Sequence, residues 1–141
     1  MRNRKSIPIF IVTLFFSFLV GMLSGCGIGT NEDTRLRDLD FTVVSEERLP
    51  EELKQIIDER KSAEFKVTYT DNEYLYICVG YGEQNTGGYS IAVNDLYLTE
   101  NAICISTSLL GPSTGDAAAG APSYPYIVVK LEYLDKTVEF E

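Results

Sequence analysis

The chain has 141 residues and sets 21 acidic against 12 basic side chains, with no histidine and no tryptophan, for a formal net charge of −9. That length is one domain plus targeting or tether segments, and the acidic balance argues against a nucleic-acid binder, because no basic stripe is present to neutralise phosphate. Without histidine neither a Ser-His-Asp triad nor a Cys-His pair can be assembled, so no catalytic residue is nominated and no enzymatic role is expected.

Residues 1–25 read as a lipoprotein signal peptide. Arg2, Arg4 and Lys5 make a positive n-region, and the 17-residue run from Ile7 to Leu23 makes an apolar h-region. Leu23-Ser24-Gly25-Cys26 follows the lipobox pattern, small residues before a cysteine that is lipidated and becomes the new N-terminus. A plain transmembrane anchor fits less well, since the apolar run is at the short end for a span and such an anchor has no use for Cys26. Several acyl chains on one residue anchor stably where a single chain is marginal. The expected location is therefore the extracytoplasmic face of a bacterial cell membrane. Cleavage leaves 9 basic against 21 acidic side chains, a charge of −12. Residues 26–38 read as a polar, flexible tether and residues 39–141 as the folded β domain.

In that domain a first short strand is expected over Asp40–Ser45, followed by a helix over residues 50–61. Pro50 suits the first helical turn, Glu51 and Glu52 complement the N-terminal dipole, and Arg60 and Lys61 complement the C-terminal one. Leu49, Leu53, Ile56 and Ile57 form one narrow apolar stripe for packing on a sheet. The segment "EFKVTYT" alternates apolar and polar residues, Asp71-Asn72 turns the chain, and "EYLYICVG" returns it. The returning strand is apolar on both faces, which places it centrally in a sheet or between layers. The acidic residues of the turn lack the spaced ligands of a calcium loop, and no metal site is expected.

"YSIAV" reads as the next strand, with Asn94-Asp95 opening a connection, and "AICISTSLL" as the one after it. A 13-residue stretch, "GPSTGDAAAGAPS", then carries one charge and no large apolar side chain. Loops of that length without structure of their own tend to be functional or disordered. "YPYIVVKLEYL" and "TVEF" are the last two strands. With about seven strands, one helix and hairpin-length connections, the expected fold is mainly β: an antiparallel sandwich or a partly open barrel. Parallel crossovers are not expected, because no spare helices exist to make them. Cys78 and Cys104 are expected as buried free thiols; if their strands flanked a third, the Cα atoms would be about 9–10 Å apart, too far to bridge.

Two glycine-bearing loops stand out, residues 82–88 and 111–124. Between Asn101 and Leu131 the charged residues are Asp116 and Lys130, and Tyr81, Tyr89, Tyr124 and Tyr126 lie beside the loops. Tyrosine next to glycine and serine makes an adaptable contact surface at modest entropic cost. Gly87 and Gly88 supply backbone freedom or allow another backbone to approach closely.

The segments "LPEELKQII", "GEQNTGGYSI" and "GPSTGDAAAGAPSYPYIVVKLEY" together resemble the C-terminal domain family of the protease-complex subunit PrcB, over roughly residues 40–140. The most specific parts are Thr86-Gly87-Gly88-Tyr89 and Tyr124-Pro125-Tyr126. The resemblance implies a lipoprotein accessory to an extracytoplasmic protease, with those seven residues as the partner-binding set and no cofactor. "QNTGGY" also resembles, more weakly, the loop by which chagasin-type sandwiches inhibit papain-like cysteine proteases. That match lacks the proline of the loop and the Arg-Pro-Trp loop of the family.

Overall fold

The computed structural model describes residues 34–113 and 120–141, all within the unit Asp33–Glu141. The signal segment, Cys26 and Asp116 lie outside the described residues. In chain order the described elements are β1 (Arg37–Asp38), β2 (Thr42–Val43), a 3₁₀ turn (Glu46–Arg48), α1 (Glu51–Arg60), β3 (Glu64–Thr70), β4 (Tyr74–Tyr81), β5 (Ser90–Leu98), β6 (Ala102–Leu110), β7 (Tyr126–Glu132) and β8 (Thr137–Phe140). They build two four-stranded sheets, β1-β5-β6-β8 and β2-β7-β4-β3. The sheets stack as a sandwich and do not close into a barrel, so of the two expected architectures the first is the one observed.

The period-two alternation along β4 sorts the core into two layers. Leu75 and Ile77 point between the sheets, where they meet Leu39, Leu96, Ile103, Ile105, Val129 and Leu131. Tyr76 and Cys78 point the other way, into a second core with Leu49, Leu53, Ile57, Phe65 and Val128 under α1. β4 is thus buried on both faces, as its unbroken apolar run requires. The helix starts one residue later than expected: Pro50 is its N-cap, extended at φ −54° and ψ 139°. Leu53 and Ile57 are essentially fully buried, and burial of each contributes about 1.5–3 kcal/mol.

Three expectations are corrected. β6 and β8 pair in parallel, Ala102 opposite Thr137 through Ile105 opposite Phe140. No helix is needed, because β7 in the opposite sheet provides the crossover. Asn94-Asp95 does not open a connection: Asn94 is the extra residue of a β-bulge, after which β5 runs on to Leu98. The tether does not extend to Asp38. Arg37 and Asp38 pair with Leu98 and Tyr97, and the Arg35 guanidinium holds Asp38 while donating to Asp95 at 2.8 Å and stacking 4.5 Å from the Tyr97 ring centre.

Cys78 and Cys104 are free and buried, as expected. They occupy different sheets, not strands flanking a common neighbour. Cys78 faces the helix layer, whereas Cys104 stands opposite Tyr97 in the β5–β6 register. Burial pushes the Cys78 thiol up to about 12.

Candidate functional site

The end of the sandwich beyond Tyr81 brings the two glycine-bearing loops together. The Tyr81 hydroxyl bridges the sheets, 2.6 Å from Thr107 Oγ1, and its backbone N–H donates to the Pro125 carbonyl at 3.0 Å. Gly82 then turns the chain at φ +72°, and a Cβ there would lie 3.1 Å from the Glu64 nitrogen. That position combines a left-handed conformation with close backbone approach, so glycine is required on both counts.

From this turn the first loop is held by the second. Gln84 and Ser123 exchange backbone hydrogen bonds, Gln84 N–H to Ser123 O at 2.8 Å and Ser123 N–H to Gln84 O at 3.0 Å. The Ser123 hydroxyl also donates to the Thr86 carbonyl at 2.6 Å, and Gln84 Nε2 donates to the Tyr81 carbonyl at 3.1 Å. Each of these bonds satisfies backbone polarity that an irregular loop otherwise leaves to water. The first loop and the described end of the second around Ser123 therefore form one hydrogen-bonded unit, and Gln84 and Ser123 are the residues that join them. Neither stands out in the sequence, where both read as ordinary polar loop residues.

The expected contact residues divide into two groups. Thr86, Gly87 and Tyr89 are half-buried, and Gly88 is exposed. Only Gly88 of the glycine pair takes a positive φ, +84°. The Tyr89 ring lies against the start of the second loop, where a Cβ on Gly111 would meet it at 3.8 Å. Tyr124 is 37% exposed beside the Asp58–Lys61 pair at the end of α1, and Lys61 is raised first by its bond to Asp58, Tyr124 contributing least. Pro125 is half-buried and uses its carbonyl on Tyr81. Tyr126 begins β7 opposite Gly80, and its ring packs on the helix-side core. Burial is the main cause of its raised hydroxyl pKa. Tyr126 is half-buried and packs against the helix-side core, so it is less available than Thr86 to Tyr89, Tyr124 and Pro125.

Residues 75–132 match the family model described as PrcB C-terminal. That segment is similar to the PrcB C-terminal family. The PrcB C-terminal-like segment runs from the second residue of β4 to the last of β7, so it contains both loops and every expected contact residue. The helix, β1 to β3 and β8 lie outside it, so the resemblance read over residues 40–140 is shown for its central part. Neither the curated proteins nor the solved structures gave a match.

Among the described residues, no group of acidic or cysteine side chains is arranged to hold a metal ion. The acidic hairpin turn has another use: Asp71 Oδ1 accepts from the backbone N–H of Glu73 at 2.9 Å and of Tyr74 at 2.7 Å. Those two bonds hold the Asp71 carboxyl below its usual range.

Proposed function

We propose that this chain is a membrane-tethered accessory domain, lipidated at Cys26 on the extracytoplasmic face, that docks a secreted or envelope protease. Its docking face is made of Thr86, Gly87, Gly88, Tyr89, Tyr124 and Pro125. The observation that carries the reading is the Gln84–Ser123 bridge with the Ser123–Thr86 bond. It holds the first loop and the Ser123–Pro125 end of the second as one preorganised surface, which lowers the ordering cost of binding. The family supports a protease-complex association. The lipobox and the tyrosine-glycine composition support the anchor and the mode of contact.

Affinity capture from native envelopes tests the partner. Gly87 is not held at positive φ, so Gly87→Asp adds bulk and charge to the face without the strain of a left-handed conformation. Wild type is expected to recover a protease and Gly87→Asp to lose it. Recovery of no protease by either form would refute the partner assignment. Cys26→Ser is expected to abolish incorporation of labelled palmitate and to release the protein from the membrane fraction; unchanged fractionation would refute the anchor.

A further inference from the structure

The fourth place in the β1-β5-β6-β8 sheet is half empty. β6 spans Ala102–Leu110, but β8 pairs with Ala102–Ile105 alone. The last bond along this edge is Glu141 N–H to the Ile105 carbonyl, 2.9 Å. Backbone groups of alternate strand residues point to the same edge, so the N–H and C=O of Thr107 and Leu109 face the place that β8 does not reach. Among the described residues no backbone partner stands there. Burial follows the pairing: residues 102–105 are buried, whereas 106–109 are half-buried and Leu110 is exposed.

A groove of about 420 Å³ occupies the gap, lined by Glu64, Lys66, Val79, Tyr81, Thr107 and Glu141 among others. Its far wall is β3, the edge strand of the other sheet. The two edges differ in how they are protected. β3 carries Lys66, whose ammonium sits 5.5 Å from the Phe140 ring centre, and a lysine on an edge discourages strand addition. The open stretch of β6, Ser-Thr-Ser-Leu-Leu, has no charge and no proline.

We infer that this half-vacant edge is a strand-addition site for an extended peptide segment of another protein, carrying a basic residue opposite Glu64 and Glu141. Five β6 residues from Ser106 to Leu110 offer about 16 Å of edge. Main-chain bonds to Thr107 and Leu109 provide the affinity in such a mode, and flanking side chains provide the choice of sequence. The lining sets two carboxylates against one ammonium. Lys66 lies over the Phe140 ring and Glu141 accepts from the Tyr97 hydroxyl at 2.7 Å, but the net charge of the lining stays negative, so a cationic side chain, met chiefly by Glu64, is favoured over an anionic one. This site goes beyond the proposed loop face and does not depend on it; Tyr81 lies at the boundary of the two.

The probe is the acetylated, amidated peptide Thr-Val-Thr-Lys-Thr-Val-Thr, with its Lys→Glu twin, added to the mature chain in detergent and followed by NMR. Binding of the lysine peptide is expected to slow amide exchange at Thr107 and Leu109 by roughly an order of magnitude. Ser106 and Ser108, which face β5, are not expected to change. The lysine peptide is expected to bind roughly two- to fivefold tighter than its twin, the size of an exposed ion pair, and Glu64→Lys to erase or reverse that preference. Unchanged exchange at Thr107 and Leu109, or no preference between the peptides, would overturn the inference. So would shifts confined to residues 82–89 and 121–125, which assign the peptide to the loop face. Protection already present in the free protein, together with a concentration-dependent dimer in sedimentation, would assign the edge to a second copy instead.

Discussion

Gly80 stands opposite Phe65 in the β3–β4 register, and the Phe65 ring lies directly over it. A Cβ at position 80 would meet ring atoms at 2.0, 2.4 and 2.8 Å, well inside contact distance. Gly80→Ala therefore forces the ring to swing away. Phe65 is 8% exposed and belongs to the helix-side core with Leu49, Leu53 and Ile57. Overpacking of this kind costs about 1–3 kcal/mol, against a return of up to about 1 kcal/mol from replacing glycine within a strand. The net expectation is a loss of about 1–2 kcal/mol, which lowers the melting temperature by roughly 5–15 °C for a domain of this size. Urea unfolding of wild type, Gly80→Ala, Phe65→Ala and the double variant measures it. With Phe65 already truncated, Gly80→Ala should be neutral or stabilising, so the coupling energy has the sign of a relieved clash. An equal loss from Gly80→Ala in both backgrounds would refute the reasoning and place the need for glycine in the backbone instead.

Ser123→Ala removes the bond to the Thr86 carbonyl, and about 0.5–1.5 kcal/mol of local stability is expected to go with it. Faster amide exchange at Gln84, with a near-constant global midpoint, is the measurement that checks this. The Asp71 carboxyl is held below the usual carboxylate range by its two backbone donors. The stability it contributes is present above the unfolded-state pKa of an aspartate and is lost as pH falls through the lowered folded-state pKa. The Tyr74 amide should therefore exchange faster in strong acid, and Asp71→Asn should show no such acid transition at that site. Cys78, with its thiol pushed up to about 12, should resist iodoacetamide at pH 8 in the native protein and react only after unfolding; rapid native alkylation would contradict its burial between sheet and helix.

The helix, both members of the β3–β4 hairpin, β6 and β8 are legible in the sequence, because in each one local periodicity and tertiary burial agree. β4 is the clearest case: an apolar residue on every face position has no other stable home than the middle of a layered structure. What escapes is set by distant partners. Arg37-Asp38 is a strand only because Leu98 and Tyr97 lie beside it. Asn94 reads as a turn residue, but its side chain donates to Ser108 Oγ at 2.6 Å and the strand continues through it as a bulge. The loop face was legible as composition, in its lack of charge and its tyrosines. Its geometry was not, because the Gln84–Ser123 bridge joins residues 39 positions apart. Tyr126 reads as a contact residue because it follows Tyr124 at strand spacing, and only the placement of α1 shows that its ring also packs against the helix-side core.

The pairing order also bears on how the chain acquires its structure. β2, near the start of the folded unit, finds its neighbour in β7, with Thr42 opposite Lys130. β1 waits for the end of β5, and β6 receives its last neighbour across an intervening strand of the other sheet. A chain that emerges N-terminus first, from a ribosome or through a membrane pore, can form the β3–β4 and β5–β6 hairpins early. One sheet then waits for β7 and the other for β8, the last two strands. Closing such long loops before they are stabilised makes folding slow relative to helical domains. Acquisition of the native state is then late and ordered: β1 can join β5 first, β2 must wait for β7, and β8 closes the β6 edge last.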